Sequence, residues 1–231
     1  IRSPADLDQA FQEHRPQAVM HFAASIEVGE GQQKPLRYWE NNVGGLISLL
    51  GAMGRAGVKP IVFSSSCAVY GEPSSVPIRE NENRAPVSVY GQTKLAAELL
   101  LADMALTGDA RFVALRFNAA GASPDGEIGE EHEPETHLIP NALKIAAGLG
   151  PDRLKLFGSD YDTRDGTCLR DYIHVVDLAA AHLAALDRVI AGPSQLFCNV
   201  GTGQGATVLE VLQAAERVTG AKIPYDIHPR R

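Results

Sequence analysis

Cysteine, excess positive charge and long apolar runs are scarce in this 231-residue chain, and each shortage excludes a class of protein. The three cysteines, Cys67, Cys168 and Cys198, are odd in number and form no Cys-x-x-Cys pair, which argues against a disulfide framework or a zinc knuckle. We therefore expect three reduced thiols and a cytoplasmic location. Lys and Arg total 21 against 28 Asp and Glu, and the formal net charge of -7 disfavours a nucleic-acid partner. No stretch of about 18 apolar residues occurs, so we expect no membrane span.

The start of the chain lacks an initiator Met, a basic leader and an apolar signal core. Its first residues instead resemble the beginning of a helix, with Ser3 as N-cap and Pro4 in the first turn. We therefore expect a fragment of a longer protein, poorly soluble and inactive until the missing segments are restored.

Short apolar runs alternate with amphipathic segments along most of the chain. Such alternation is typical of a parallel sheet covered by crossover helices. Gly57 and Gly220 suit helix C-caps. The segment 119–151, rich in Gly, Pro and acidic residues, predicts a long loop leading into a helix, and loops of that length are usually functional. The predicted strands are 18–24, 61–64, 112–115, 172–176 and 196–200, and the predicted helices are 6–13, 35–56, 91–106, 139–147, 177–189 and 207–219.

Tyr90 and Lys94 form the strongest local chemical pattern. Four residues apart on a helix, they share one face, where an ammonium group is expected to lower the pKa of the phenol and make it a usable base. The same spacing also arises by chance on solvated helices. A predicted strand ends in Ser64, Ser65 and Ser66, and open α/β sheets place their sites at strand C-termini. Three serines are equally compatible with a polar loop exit.

Ser66, Tyr90 and Lys94, in that order, resemble the catalytic residues of the extended short-chain dehydrogenase/reductase superfamily. Longer strings make the chain similar to the UDP-glucose (UDP-galactose) 4-epimerases of that superfamily over essentially its whole length. These strings are His21 to Ala24, Lys34 to Leu36, Asn41 to Val43, Phe63 to Gly71, Phe117 to Ala122, His137 to Pro140, Asp165 to Thr167, Arg170 to Val175 and Pro229 to Arg231.

The resemblance implies an α/β fold with a Rossmann-type doubly wound parallel sheet and a small α/β substrate-binding lobe, truncated at its N-terminus. Residues 1–118 and 172–201 would form the NAD-binding domain, and residues 119–171 and 202–231 the nucleotide-sugar lobe. The implied activity is NAD-dependent inversion of the sugar C4 centre of a UDP-hexose through a transient 4-keto sugar. The implied partners are a UDP-sugar substrate and, in the full-length protein, a second copy of the chain.

The resemblance also assigns residues to roles. Tyr90 would be the base, Lys94 would hold the phenolate and the cofactor ribose, and Ser66 would hydrogen-bond the reacting oxygen. Guanidinium groups suit the substrate diphosphate because they pair bidentately with its oxygens. The predicted NAD-binding residues are Phe22, Ala23, Ala24, Asn41, Ser64, Tyr90, Lys94 and Phe117, and the predicted substrate-binding residues are Ser66, Asn118, His137, Leu138, Lys155, Phe157, Arg170 and Arg231.

Three departures from the family pattern bear on these roles. The glycine-rich phosphate cradle and first strand are not in the sequence, Ile26 stands where many members have Lys, and Arg116-Phe117-Asn118 is one residue shorter than the usual string. The position that selects for sugar size would lie beyond Arg231, so the sequence leaves the epimer pair and the acceptance of N-acetylated sugars open.

Other functions remain open on the sequence. The chain would fit a UDP-xylose or UDP-glucuronate 4-epimerase, a non-catalytic NAD-sensing regulator, or a structural subunit with 91–106 as a partner helix. A 4,6-dehydratase fits less well because Ser66-Cys67-Ala68 lacks the acid of those enzymes. Glu131-His132-Glu133 offers metal-ligand types, but we expect no metal because no second His or Cys has plausible spacing.

Overall fold

A computed structural model describes residues 1–192 and 194–230 of the chain. These residues form two compact units. The first contains 1–117 and 178–200, and the second contains 118–177 and the described residues from 201 onward. The predicted domain boundaries lie close to these divisions, and which ligand each unit binds stays a prediction.

The elements follow the predicted alternation, with shorter strands and several additional small elements. The helices are α1 (Pro4–His14), α2 (Val28–Gln33), α3 (Pro35–Tyr38), α4 (Gly45–Ala56), α5 (Val89–Thr107), α6 (Leu138–Ala146), α7 (Val175–Ala191) and α8 (Val208–Thr219), with a π-helical segment Trp39–Gly44 and a 3-10 turn Cys67–Val69. The strands are β1 (Val19–His21), β2 (Pro60–Ser64), β3 (Arg111–Arg116), β4 (Asn118–Ala120), β5 (Leu154–Phe157), β6 (Leu169–Arg170), β7 (Tyr172–His174), β8 (Gln195–Asn199), β9 (Ala206–Thr207) and β10 (Tyr225–His228).

The first unit is built on a parallel sheet of order β1-β2-β3-β8. Every residue of β2 is buried, as expected for a central strand covered on both faces. Ile61 and Phe63 pack on one face with residues of α1, α4 and α5, whereas Val62 packs on the other with residues of α7. This alternation follows from the two-residue period of a strand. The predicted doubly wound parallel sheet is confirmed.

Two predicted elements differ from the structure in ways that concern the site. The predicted strand 18–24 ends at His21, so Phe22, Ala23 and Ala24 lie in the segment after β1. The predicted helix 35–56 is interrupted by the π-helical segment, which contains Asn41 and the buried Asn42. Short π-helical segments within a longer helix are frequent at functional sites.

The second unit consists of small paired strands and two packed helices. β5 pairs with β10 and β4 with β7, both in parallel, while β6 and β9 are antiparallel. α6 and α8 pack around Ala142, Leu212 and Ile223. The sequence did not predict β4, β6, β9 or β10, because strands of two to four residues carry too few positions to show a period. None of the helices in the described part of the chain is long and apolar enough to cross a membrane.

Candidate active site

Three consecutive serines at the C-terminal end of β2 each make a different contact. The Ser64 hydroxyl lies 2.8 Å from His182 Nε2, the Ser65 hydroxyl donates to Glu98 Oε1 at 2.6 Å, and Ser66 Oγ accepts from the Ala68 amide at 3.2 Å. All three serines are buried. They are therefore part of a packed site at the strand end, and the alternative of a solvated loop exit does not hold.

The start of α5 brings Tyr90 and Lys94 to this strand end. Ser88 caps the helix by accepting from the Gly91 amide, which fixes where the helix begins. A hydrogen bond joins Tyr90 to Ser66. Lys94 Nζ donates to the Ser64 carbonyl at 2.8 Å and lies 5.8 Å from the centre of the Tyr90 ring. The structure thus brings together the three residues that the sequence predicted as catalytic.

The direction of the Tyr90 pKa is the opposite of the expected one. Burial raises the pKa of the phenol, and the hydrogen bond with Ser66 only partly opposes that rise. The Lys94 ammonium donates to the Ser64 carbonyl and does not contact the phenol oxygen. Burial also lowers the pKa of Lys94 to about 8, with Glu98 acting in the opposite direction. Desolvation is therefore the largest influence on the pKa of each group, and it acts on Tyr90 in the direction opposite to the expected one.

His182 connects two of the predicted cofactor residues and was not found from the sequence. Its ring centre lies 4.8 Å from that of Phe22 and 5.8 Å from that of Phe117. Nδ1 is 2.9 Å from the Leu178 carbonyl. A carbonyl oxygen only accepts, so Nδ1 carries a proton, and in the neutral ring Nε2 accepts from the Ser64 hydroxyl. A lone His among the alanines of α7 carries no pattern that would have revealed this role.

Small and amide side chains follow β1. Ala23 and Ala24 come directly after the exposed Phe22. The Asn41 amide donates to Ser25 Oγ at 3.3 Å, and the buried Asn42 donates to Thr93 Oγ1 on α5 at 3.0 Å. The predicted Asn41 thus lies beside the segment after β1, and its neighbour Asn42 links that segment to the helix of Tyr90.

A buried ion pair beneath the serines is a second feature that the sequence did not show. Glu98 and Arg116 have side chains 0% and 1% exposed, and the guanidinium forms two hydrogen bonds with the carboxylate, at 2.8 and 2.7 Å. Arg116 also donates to the Tyr70 hydroxyl at 2.6 Å. A Glu one turn after Lys94 and an Arg at the end of an apolar strand were the available signals.

Three of the predicted substrate residues lie at the beginnings of elements in the second unit. Asn118 is the first residue of β4 and pairs with Tyr172 of β7. His137 is the N-cap residue of α6, and Leu138 is its first helical residue. The His137 ring nitrogen and backbone amide both contact Glu135 Oε1, at 2.9 and 2.8 Å. The local fold therefore fixes the orientation of His137.

The remaining substrate residues are distributed over two other strands. Lys155 and Phe157 alternate with the buried Leu154 and Leu156, so they lie on one face of β5. Arg170, in β6, is exposed, and its guanidinium donates to the Leu169 carbonyl at 2.8 Å. Arg231 lies outside the described residues.

The expectation that no second His lies within reach of His132 is wrong. His137 lies five residues after His132, and the two rings are 4.2 Å apart between centres. Ligand atoms of Glu130, His132 and His137 lie within 4.8 Å of one another, so a second His is in reach after all. Both rings contact Glu135, at 3.3 and 2.9 Å. These hydrogen bonds account for the convergence, and we assign no metal to it.

The strand-end arrangement in the first unit is suited to moving a proton from a hydroxyl. Tyr90 offers a phenol hydrogen-bonded to Ser66, and Lys94 supplies a buried cation. General base catalysis requires such a group within hydrogen-bonding reach of the proton that it removes.

Comparisons with known proteins find related sequences along the whole chain. The model of the family described as "NAD dependent epimerase/dehydratase family" matches residues 1–201. The UDP-glucose 4-epimerase of Rhizobium leguminosarum bv. trifolii is 50% identical over 232 aligned residues, which cover 100% of this chain and 71% of that protein.

Solved structures of the same kind match the fold. The UDP-glucose 4-epimerase from Brucella ovis, in complex with NAD, has a TM-score of 0.94 and 49% identity, covering 100% of this chain and 71% of that one. The enzyme from Bifidobacterium longum, in complex with NAD+ and UDP, has a TM-score of 0.95 and 40% identity, covering 100% of this chain and 69% of that one.

Proposed function

Because the chain belongs to the NAD dependent epimerase/dehydratase family, we propose that it is an isomerase that interconverts UDP-glucose and UDP-galactose. The observation that carries the proposal is the joining of Tyr90 to Ser66 beside the buried Lys94. The relatives named UDP-glucose 4-epimerase support this choice of sugar over a pentose or a uronic acid. A non-catalytic regulator is less well supported, since both Tyr90 and Lys94 are retained.

The residues at the strand ends fit NAD in their chemistry. Phe22 is 58% exposed directly after β1, with the small Ala23 and Ala24 behind it, and such a segment suits a flat ring close to the backbone. Phe117, Asn41, Ser64, Tyr90 and Lys94 complete the set that would hold the cofactor. When bound, NAD supplies the acceptor and donor of the hydrogen at C4.

The chain's own residues supply the proton chemistry. Tyr90, as phenolate, takes the proton of the sugar 4-hydroxyl and becomes a phenol, and it returns that proton after the sugar has turned, while Ser66 donates a hydrogen bond to the same oxygen. The Lys94 cation stabilises the phenolate when it forms. Because burial raises the pKa of Tyr90, the phenolate depends on this nearby cation, whose Nζ lies 5.8 Å from the centre of the Tyr90 ring.

Residues of the second unit bind the nucleotide sugar in this proposal. Arg170 pairs with the diphosphate, as does Arg231, while Asn118, His137 and Leu138 contact the sugar and its phosphates. Lys155 and Phe157 share a face of β5, which supports a common contact with the uridine.

The test of this function is the conversion of UDP-galactose by the full-length enzyme, with UDP-N-acetylgalactosamine, UDP-xylose and UDP-glucuronate assayed in parallel. We expect UDP-glucose to form from UDP-galactose faster than any of the other three sugars reacts. Conversion of the pentose or the uronic acid alone would assign the chain to a neighbouring epimerase, and binding of NAD without any turnover would support the regulator.

We also propose that two copies associate through α4 and α5. Ile47 is 56% exposed and lines an open apolar groove together with Leu100 and Met104, and Leu106 is 79% exposed. Long helices with exposed apolar residues are suited to packing against the same helices of a second copy. Light scattering should give the mass of a dimer for the wild type and of a monomer for Ile47→Glu.

The proposed location is the cytoplasm. The structure joins none of Cys67, Cys168 and Cys198 in a disulfide, which supports a reducing compartment. Titration with a thiol reagent under denaturing, non-reducing conditions should find all three, whereas a count of one would show that a disulfide exists.

A further inference from the structure

We propose that Ser65 and Glu98 are positioning residues that hold the Ser66 hydroxyl against the Tyr90 phenol. The inference rests on the proposed function for its kinetic consequence, but the contacts that carry it are independent of any ligand. Neither residue belongs to the set predicted to touch substrate or cofactor.

The Ser65 side chain links the end of β2 to α5. Ser65 donates to Glu98 Oε1 at 2.6 Å, and its backbone amide is held by the Leu115 carbonyl at 2.8 Å. Glu98 lies on α5, eight residues after Tyr90, and residues at that spacing share a helix face. One hydrogen bond therefore ties the exit of β2 to the same rigid helix that carries the phenol.

The Glu98 carboxylate is itself held in place by several hydrogen bonds. Arg116 donates to both carboxylate oxygens, at 2.8 and 2.7 Å, and Arg84 donates to Glu98 Oε2 at 3.3 Å. Charge-assisted bidentate pairs impose direction as well as energy. Arg116 is in turn held by the Tyr70 hydroxyl at 2.6 Å, and Tyr70 donates to Asn199 at 2.7 Å. The acceptor that Ser65 meets is thus fixed by a chain of contacts reaching β8.

Both Ser65 and Glu98 are too deeply buried to contact a ligand. Ser65 is 3% exposed and Glu98 is 0% exposed. Any effect on turnover must therefore pass through their neighbours, Ser66 in the chain and Lys94 one turn earlier on α5. Glu98 also favours the charged form of Lys94, since it opposes the lowering of that pKa by burial.

Ser65→Ala is the variant of choice because it removes the link and leaves the Glu98–Arg116 pair intact. In the full-length enzyme we expect kcat for UDP-galactose to fall by roughly 10- to 100-fold, the scale of a small displacement of a reacting group. We expect KM to remain unchanged. Ser65→Thr keeps the hydroxyl and should recover most of the loss. Ser48→Ala is the matched control, since it removes a serine hydrogen bond to the Gly44 carbonyl on α4.

A second measurement does not depend on activity. Hydrogen exchange of the peptide that contains Ser64 to Tyr70 should be faster in Ser65→Ala than in the wild type and unchanged in Ser48→Ala. Wild-type kcat together with wild-type exchange in Ser65→Ala would overturn the positioning role. If the wild-type enzyme converts no UDP-sugar, the proposed function fails, while faster exchange in Ser65→Ala would still support the positioning of the strand exit.

Discussion

The two units differ in how their proposed site residues are held. In the first unit the Glu98 and Arg116 side chains are 0% and 1% exposed and are joined by two hydrogen bonds. In the second unit, Arg170 is exposed, and pairs such as Arg153–Asp226 leave half of each side chain in solvent. In the first unit the core thus fixes the surroundings of the groups proposed to react, whereas in the second unit a residue proposed to bind the large polar ligand is exposed to solvent.

The largest expected effect is on turnover in the first unit. Tyr90→Phe keeps the ring and removes the base, so kcat should fall about 10²–10⁴-fold with little change in KM. Steady-state kinetics with UDP-galactose measure both constants. Tyr225→Phe, on the half-exposed β10, is the control. If the Tyr90→Phe enzyme kept half of the wild-type rate, the Tyr90 hydroxyl would not be the base.

The next effect is on stability and compares buried with exposed charge. Glu98→Ala leaves Arg116 buried without its carboxylate and should cost roughly 3–5 kcal/mol of unfolding free energy. Asp226→Ala removes the partner of the exposed Arg153 and should cost at most about 1 kcal/mol. Denaturant unfolding of both variants tests the contrast, which equal losses would contradict.

A smaller effect is expected on substrate binding in the second unit. Arg170→Gln should raise KM for the UDP-sugar by roughly tenfold or more while kcat changes little, since a charged hydrogen bond contributes about 1.5–3 kcal/mol. Arg164→Gln is the control because Arg164 pairs with Glu210 on the same unit. A fall in kcat at constant KM would place Arg170 with the reacting groups instead.

The smallest effect concerns pH. Burial lowers the pKa of Lys94 to about 8, so its cation is present below that pH and is lost as the pH rises through it. We expect kcat/KM, which reports groups of the free enzyme, to decline above about pH 8. Lys94→Arg should move this decline to higher pH, because an Arg stays charged. An identical alkaline limb in the variant would show that Lys94 does not titrate in this range.

The sequence pointed to the residues proposed to react but not to the residues that hold them in place. The Tyr90–Lys94 pair was found from its helical spacing and the three serines from their place at a strand end, whereas the choice of Ser66 among them came from the resemblance to the epimerases. Glu98 and His182 were missed because their partners, Ser65 and Ser64, are 33 and 118 residues away, and a single sequence does not show which distant residues meet. The proximity of the His137 and His132 rings was also missed, because the loop that joins them shows no helical or strand periodicity from which their positions could be inferred. The direction of the Tyr90 pKa depends on burial, which spacing alone does not supply.

In the proposed mechanism, Tyr90 acts on the 4-hydroxyl proton and not on the hydrogen of the sugar carbon. The direct test is to incubate the full-length enzyme with UDP-glucose deuterated at C4 and to examine the UDP-galactose formed by mass spectrometry and NMR. We expect the deuterium to stay on C4, because the hydrogen of that carbon never reaches a group that exchanges with water. Loss of the deuterium to solvent during epimerisation would mean that a base removes the carbon-bound hydrogen as a proton, and it would contradict the role given to Tyr90.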